Sequence, residues 1–230
     1  MRSKLKIAIV VFGLVAASLA VVPAMAATKP AGPTAQQLLN RVHKGCPVVS
    51  KGKYKTDDDA KSAIVSICKA GKAYVWNADM DVDCDGVKTS HCNSHTDCCY
   101  QGDTSFHTSK GKPFQADLTH FYVIPLPSSR FSYTKAGIKP GSIAALVYNN
   151  KVLYAVFADE GPSNIIGEAS YATNRDLGIN PNPKTGGIDC TGTSCPIWYI
   201  VFPGVVPSPI ESNSAIDSKG SAAAQAFVNS

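Results

Sequence analysis

Two acids in the second half of the chain, Asp159 and Glu168, have the residue types and spacing to do chemistry. Each ends a short apolar run, and the turn EGPSN at 160–164 separates the two runs. A carboxylic acid and a carboxylate on either side of a glycosidic bond hydrolyse it by acid–base chemistry. Two acids at this spacing are more often exposed turn residues without a catalytic role. These two differ because each ends an apolar run, and the small residues 169–170 leave room for a substrate. The pattern therefore predicts glycosidic hydrolysis at this turn.

The elements around the turn must bring the two acids together. Residues 151–159 alternate as a β-strand, which puts Leu153, Ala155, Phe157 and Asp159 on one face and Val152, Tyr154, Val156 and Ala158 on the other. Both faces are apolar, which is typical of a central strand. After the turn, residues 165–167 are expected to run back beside this strand, with Gly167 allowing close backbone approach. Glu168 would then lie near Asp159.

The rest of the chain predicts a mainly β (α+β) fold. Strand-like runs lie at 74–76, 121–124, 143–148, 151–158 and 197–202, and Asn149-Asn150 is typical of a hairpin turn. Helices are predicted at 34–42, where Thr34 and Gln37 form a capping box, at 57–70, and at 169–177 as the only helical pattern in the second half. We expect a small curved β-barrel, with the six-stranded double-psi type as one candidate, N-terminal helices and disulfides.

The N-terminus has the features of a secretory signal peptide. Three basic residues precede an apolar run, and Ala24-Met25-Ala26 supplies the small residues of a cleavage site. A membrane anchor is disfavoured because the run is short and ends at Pro23. We predict a signal peptide at 1–26, a linker at 27–33 and a single catalytic domain at 34–230, acting as a secreted, extracellular monomer. Loss of residues 1–26 lowers the formal net charge from +5 to +2, which disfavours a nucleic-acid partner.

The eight cysteines all follow the predicted signal peptide, so disulfides are the default. Cys190 is expected to pair with Cys195 across a short turn, and Cys46 with Cys68. The remaining four are expected to pair among themselves, with vicinal Cys98 and Cys99 each bonded elsewhere because a bond between neighbours strains the peptide. A zinc site made from these four with His91 and His95 is disfavoured by the compartment and by the absence of paired Cys-x-x-Cys units.

An alternating run of acids, Asp79, Asp81, Asp83 and Asp85, would put four carboxylates on one face of a strand. Such crowding is unfavourable unless a cation lies nearby. Substrate binding, a Ca²⁺ ion at Asp81, Asp83 and Asp85, and a structural hydrogen-bond network are the alternatives. The match to an EF-hand loop fails at its twelfth position, where Cys92 replaces the bidentate Glu. No cofactor is therefore expected, with Ca²⁺ kept as the alternative.

The sequence resembles a known enzyme family in several segments. YNNKVLYAVFADEGPSNIIGEAS at 148–170, LGI at 177–179 and YIVFPG at 199–204 look like the core of the family 75 glycoside hydrolases, which are secreted endo-chitosanases. MDVDCDG at 80–86 and TSFHTSKGKPFQADLTHFYVIP at 104–125 are similar to that family in content and order. The likeness covers roughly residues 74–204.

The resemblance implies hydrolysis of β-1,4 bonds between glucosamine units of chitosan with inversion at the anomeric carbon. It puts the catalytic pair on Asp159 and Glu168, which in an inverting enzyme should lie about 6.5–9.5 Å apart. Glu168 follows two isoleucines, so desolvation favours it as general acid, and Asp159 is the expected base. Because chitosan is a polycation, acids near the pair are assigned to substrate binding: Asp79, Asp81, Asp83, Asp117 and Glu160.

Three other functions remain open from sequence. A peptidoglycan or other cell-wall-polysaccharide hydrolase could use the same acids, but an anionic substrate suits the aspartate run poorly. A non-catalytic carbohydrate-binding protein needs exposed aromatic platforms, for which Tyr74, Trp76 and Trp198 are candidates, although strand aromatics are more often core residues. The third is a Ca²⁺-stabilised cell-wall interaction protein.

Overall fold

The computed structural model describes residues 32–230. The predicted signal peptide and most of the predicted linker lie outside the described residues. The elements are α1 (Ala35–His43), β1 (Cys68–Ala70), β2 (Ala73–Ala78), β3 (Asp81–Asp83), β4 (Phe121–Pro125), β5 (Ile143–Tyr148), β6 (Lys151–Gly161), β7 (Glu168–Ser170), α2 (Tyr171–Leu177), β8 (Ile197–Val201) and α3 (Asn213–Val228). None of the helices in this part of the chain has the length and apolar character needed to span a membrane.

The eight strands form one open sheet in the order β1-β2-β8-β5-β6-β4-β7-β3. Most neighbours are antiparallel, while β4 with β6 and β3 with β7 are parallel. The outermost strands β1 and β3 do not pair with each other, so the sheet is not a closed barrel. The predicted small curved β-barrel, with its six-stranded double-psi candidate, is therefore not supported. The predicted mainly β, α+β class with disulfides is confirmed. The five predicted strands all form, and the Asn149-Asn150 hairpin turn has the expected positive φ angles of 44° and 63°.

Each face of the sheet is buried under its own apolar layer. One face carries Tyr154, Val156 and Ala158 of β6 and is covered by α1 and α3. The opposite face carries Ala155 and Phe157 and is covered by Leu177, Ile179 and the segment around Tyr133 and Ile138. The alternation predicted for the strand up to Ala158 is therefore confirmed, and β6 is a central strand.

One predicted helix does not form, and one helix of the structure was not predicted. Residues 57–70 form bends followed by β1. The reason is that the backbones of Tyr54 and Val65 hydrogen-bond to each other, and the Ser50 hydroxyl accepts a hydrogen bond from the Ile67 amide. Helix α3 was not predicted. Its buried positions Ile216, Gly220, Ala224 and Phe227 include two small residues, so its apolar stripe is weak. Gly220 lets the helix lie directly on Tyr154, since a Cβ there would be 2.5 Å from the tyrosine ring.

The disulfides Cys46–Cys68 and Cys190–Cys195 form as predicted. Within the remaining group Cys84 bonds to Cys92, which removes two thiolates from any zinc site. Cys98 and Cys99 are exposed free thiols whose Sγ atoms lie 2.9 Å apart. The prediction that each of them pairs elsewhere is wrong, because once Cys84 and Cys92 pair no other cysteine of the group is left.

Candidate active site

A β-bulge in β6 decides where Asp159 lies. In the parallel pair of β4 and β6, Tyr122 faces Phe157 and Val123 faces Asp159, so Ala158 is the extra residue. Side chains that are register partners in neighbouring strands point to the same face. Asp159 therefore takes the face of Val123, opposite to Phe157. The prediction that Asp159 shares a face with Phe157 is wrong, because a bulge shifts the alternation by one residue.

Glu160 gives an independent check of this shift. Its carboxylate accepts a hydrogen bond of 2.5 Å from the Tyr133 hydroxyl, and the Tyr133 ring packs on Phe157 at a centroid distance of 4.9 Å. Glu160 thus lies on the Phe157 face, away from Asp159. The assignment of Glu160 to the same substrate surface as Asp159 does not fit this geometry.

Strands β7 and β3 bring more acids to the Asp159 face. Ala169 of β7 is the register partner of Tyr122, so Glu168 points to the opposite face, that of Val123. In β3, Asp81 is the register partner of Glu168, and Asp83 is that of Ser170. Asp81, Asp83, Glu168 and Asp159 therefore share one face at the end of the sheet.

The two strands that carry the predicted catalytic pair are not neighbours. Strand β4 lies between β6 and β7, which differs from the predicted return of residues 165–167 beside β6. The Glu168 side chain nevertheless reaches across β4. A Cβ built on Gly161 would lie 2.9 Å from Glu168 Oε2 and 3.2 Å from Val123 Cγ1. The Glu168 carboxylate thus lies against the backbone two residues beyond Asp159.

Asp159 is held through one oxygen. Its Oδ1 accepts hydrogen bonds from the Ser105 amide (3.0 Å), the Ser105 hydroxyl (2.5 Å) and the Glu160 amide (2.8 Å). Among the described residues, Oδ2 has no hydrogen-bond donor. Burial raises the pKa of Asp159, and the bonds from Ser105 oppose that rise. One oxygen fixes the side chain, while the other is available to bind water.

Glu168 has the environment of a carboxyl group that stays protonated near neutral pH. Burial, followed by the negative charges of Asp159 and Asp85, raises its pKa to about 7. No hydrogen bond from the described residues reaches its carboxylate to oppose this rise. The two acids of the predicted pair therefore differ: Asp159 has donors that favour its ionised form, and Glu168 has none.

A group of acids surrounds Asp159. Oxygens of Asp83, Asp85 and Asp159 lie within 4.8 Å of one another. Burial raises the pKa of Asp83 well above its ordinary range, and burial raises that of Asp85 to about 6. No lysine, arginine or histidine in residues 32–230 forms an ion pair with these three or with Glu168. This face of the sheet therefore concentrates acidic groups that have no basic partner among the described residues.

Asp79 and Asp81 belong to a second group with Asp57. The Ca²⁺ ligands predicted from sequence, Asp81, Asp83 and Asp85, are therefore divided between the two groups. The Asp79 side chain is 0% exposed, and a polysaccharide cannot touch it in this structure. Its predicted role in direct substrate contact does not fit, because the backbone of Gly167 covers it: a Cβ there would lie 1.8 Å from Asp79 Oδ1.

The remaining predicted residues lie elsewhere. The Asp117 carboxylate accepts from Gln115 and contacts His91, whose ring stacks on Tyr171 at a centroid distance of 5.0 Å. No hydrogen bond in the described part of the chain joins Asp117 to the acids around Asp159. Trp76 is buried and stacks on Tyr199, so it is a core residue and offers no sugar platform.

Comparison with known proteins gives the family. The model described as fungal chitosanase of glycosyl hydrolase group 75 matches residues 80–229, which is more than half of the chain. The chain belongs to this family. That confirms the resemblance seen in the sequence, and the match includes Asp81, Asp83, Asp85, Asp159 and Glu168.

Individual chitosanases are similar over parts of the chain. An endo-chitosanase C of Aspergillus oryzae is 29% identical over 151 residues, 60% of this chain and 34% of the relative. An endo-chitosanase of Aspergillus fumigatus is 29% identical over 164 residues, 61% of this chain and 67% of the relative. An endo-chitosanase B of A. oryzae is 35% identical over 99 residues, 40% of this chain and 41% of the relative. The chain thus spans from about a third to two thirds of the length of these relatives.

Sequence reasoning missed Ser105 and Asp57. Ser105 lies in the TSFHTSKGKPF segment that carries the likeness to group 75. A hydroxyl residue within that segment could have been named as a hydrogen-bond donor to the acid pair. For Asp57 the sequence pattern predicts only the first residue of a helix at 57–70. The loop conformation that brings it to Asp79 depends on contacts with residues 164–166, far along the chain.

Replacing Ser105 by Ala is expected to shift the acidic limb of the pH–rate profile upward. The change removes the hydroxyl donor to Asp159 Oδ1 but keeps the amide donor, so the pKa of Asp159 rises. One lost charge-assisted bond corresponds to a shift of about one pH unit. The measurement is kcat/KM on chitosan oligosaccharides at pH 4–7. Ser109→Ala, which removes a hydroxyl bonded to Glu211, is the control; an unshifted limb in Ser105→Ala would contradict the prediction.

Proposed function

We propose that this protein is a secreted endo-chitosanase that hydrolyses β-1,4 bonds between glucosamine units with inversion. The observation that carries the proposal is the group of unpaired acids on one sheet face, with Asp159 and Glu168 among them. Membership of a chitosanase family supports the substrate. Secretion is supported by the N-terminal sequence and by three disulfides.

The acidic side chains of this face favour a cationic polysaccharide over an anionic one. Chitosan carries ammonium groups in mildly acidic water, and an ammonium group between Asp83 and Asp85 would relieve their mutual repulsion. Asp81 extends the same face along β3. Peptidoglycan is anionic and would add to the repulsion. We therefore assign Asp83 and Asp85 to binding of glucosamine units, whereas Asp81 belongs to the second acidic group with Asp57 and Asp79.

The environments of the two central acids support distinct roles. Glu168, with a pKa of about 7, is the proposed general acid that protonates the leaving oxygen. Asp159, fixed through Oδ1, is the proposed base, and its free Oδ2 would take a proton from the attacking water. The separation of about 6.5–9.5 Å that inversion requires stays a prediction.

Digestion of chitosan followed by proton NMR tests the proposal. Inversion of a β-linked substrate gives the α-anomer first, before mutarotation mixes the products. Chitin and murein serve as matched substrates that lack most free amines. A first product in the β-anomeric form would overturn inversion, and reducing ends released from murein but not from chitosan would overturn the substrate. The expected monomeric state is checked on the same sample by light scattering.

The activity is expected to fall as the pH rises through about 7. The proposed acid Glu168 must be protonated, and its pKa is raised to about 7, so the active form is lost above that pH. At the acidic end, activity falls as Asp159 becomes protonated, at a pH above the ordinary aspartate value because burial raises its pKa. The measurement is kcat/KM on chitosan oligosaccharides, because its pH dependence reports the pKa values of the free enzyme. A kcat/KM that keeps rising above pH 8 would contradict the role of Glu168.

A further inference from the structure

Asp79 is a buried carboxylate without a partner. Its side chain is 0% exposed, and neither Oδ1 nor Oδ2 has a hydrogen-bond donor among residues 32–230. A buried polar group normally finds a partner, because leaving it unpaired costs the free energy of its lost hydration. Asp79 takes no part in the proposed hydrolysis, so the reaction does not explain it.

Other acids converge on Asp79. One ligand oxygen each from Asp57, Asp79 and Asp81 lies within 4.8 Å of the others. The charge of Asp189 also acts on both Asp79 and Asp81. Oxygens bound to one Ca²⁺ ion at about 2.4 Å lie at most about 4.8 Å apart, so the three carboxylates have the spacing of ligands to a single ion.

We propose that Asp57, Asp79 and Asp81 bind one divalent cation with hard oxygen preference, of which Ca²⁺ is the chemical type. Carboxylates are its usual protein ligands, and the site has no thiolate or imidazole that would favour zinc or copper. The ion would supply both Asp79 oxygens with the partner that the described residues do not provide. This site is separate from the group of Asp83, Asp85 and Asp159, and it does not depend on the proposed hydrolysis.

The ion would join two segments of the chain that both bond to the residues just before β7. Asp57 follows Lys55, whose backbone bonds to Asn164 and Ile166 just before β7. The Asp81 amide donates to the carbonyl of Gly167 at 2.7 Å. Asp79 lies between β2 and β3. A cation held by all three would fix the loop of Asp57 and the start of β7 against each other, and β7 begins with Glu168.

The experiment uses the mature full-length protein, stripped with EDTA and titrated with CaCl₂. Isothermal titration calorimetry should give one binding equivalent. Thermal unfolding should show a Tm rise of about 5–10 °C at a Ca²⁺ concentration about 100-fold above Kd. Asp57→Asn should weaken Ca²⁺ binding at least about 10-fold, and Asp79→Asn should remove the Tm rise. Asp58→Asn, an exposed neighbour, should bind like the wild type.

The outcomes separate this site from its rivals. Absence of both a binding heat and a Tm rise in the wild type would overturn the proposal and leave Asp79 as a protonated core residue. Loss of binding in Asp85→Asn, with normal binding in Asp57→Asn, would move the ion to the other acidic group and also overturn it. If Asp79→Asn does not fold, the comparison of Asp57→Asn with Asp58→Asn still decides. Since every readout is binding or unfolding, failure here is distinct from failure of the chitosanase proposal.

Discussion

Replacing Glu168 by Gln is expected to lower kcat on chitosan by about 10²–10⁴-fold, because the amide cannot protonate the leaving oxygen. Asp159→Asn is expected to have an effect of the same order, because an amide cannot accept the proton of the attacking water. Neither change removes side-chain volume, and the described residues form no hydrogen bond with the Glu168 side chain that the fold would lose. Reducing-end release from chitosan, with kcat and KM fitted separately, is the measurement.

Matched controls separate lost chemistry from lost structure. Glu211→Gln changes a glutamate outside both acidic groups, whose carboxylate accepts hydrogen bonds from Ser109, and Asp58→Asn changes an exposed aspartate; both should keep wild-type kcat. Circular dichroism and Tm should match the wild type for all four proteins. Retained activity in both Glu168→Gln and Asp159→Asn would remove the hydrolase proposal. Loss in Glu160→Gln with retention in Asp159→Asn would reassign the base to the acid on the other face.

The features predicted correctly from sequence are those that depend on local pattern. Strand β6 alternates until Ala158, Asn149-Asn150 tolerates the positive φ of a hairpin turn, and Thr34 with Gln37 caps the first helix. Each of these is decided by a few consecutive residues and their backbone preferences. The family likeness is also local, because it rests on short motifs in a fixed order.

The features that sequence reasoning missed depend on contacts between distant residues. The bulge at Ala158 exists because β4 pairs with β6 in a register that skips one residue, and nothing in the 151–161 segment alone marks it. The helical pattern at 57–70 gives way to pairing of Val65 with Tyr54 and to the Cys46–Cys68 bond. The intrinsic helix or strand propensity of a segment contributes little free energy, so pairing with distant segments overrides it.

The acid pair illustrates both cases. Its two members were chosen because each ends an apolar run, and both lie on the sheet face that gathers acids. Their catalytic roles stay a prediction. Their relation was predicted as a simple hairpin, whereas β4 lies between their strands and Glu168 reaches across it. The bulge corrects the face of Asp159, and the parallel pairing of β3 with β7 adds Asp81 and Asp83. The site is therefore a product of sheet order, which short-range pattern does not encode.

Replacing Gly167 by Ala is expected to destabilise the fold by about 3 kcal/mol or more and to lower activity. Gly167 has φ of 132°, which side chains rarely adopt, and a Cβ there would lie 1.8 Å from Asp79 Oδ1 and 2.9 Å from Asp79 Cγ. Because Asp79 is fully buried, the backbone before Glu168 must shift instead. A displacement of about 1 Å at a catalytic group costs about 10²-fold in rate.

Thermal unfolding and kcat measure this effect, with a Tm decrease of about 6–12 °C expected for a loss of that size. Gly111→Ala is the matched control, because Gly111 also has positive φ (66°) but no atom lies within 4 Å of a Cβ there. It should lower Tm by only about 2–4 °C. If the clash with Asp79 is the cause, adding Gly167→Ala to an Asp79→Ala background should cost much less than adding it to the wild type. Equal costs in the two backgrounds would show that the buried carboxylate does not set the position of Glu168.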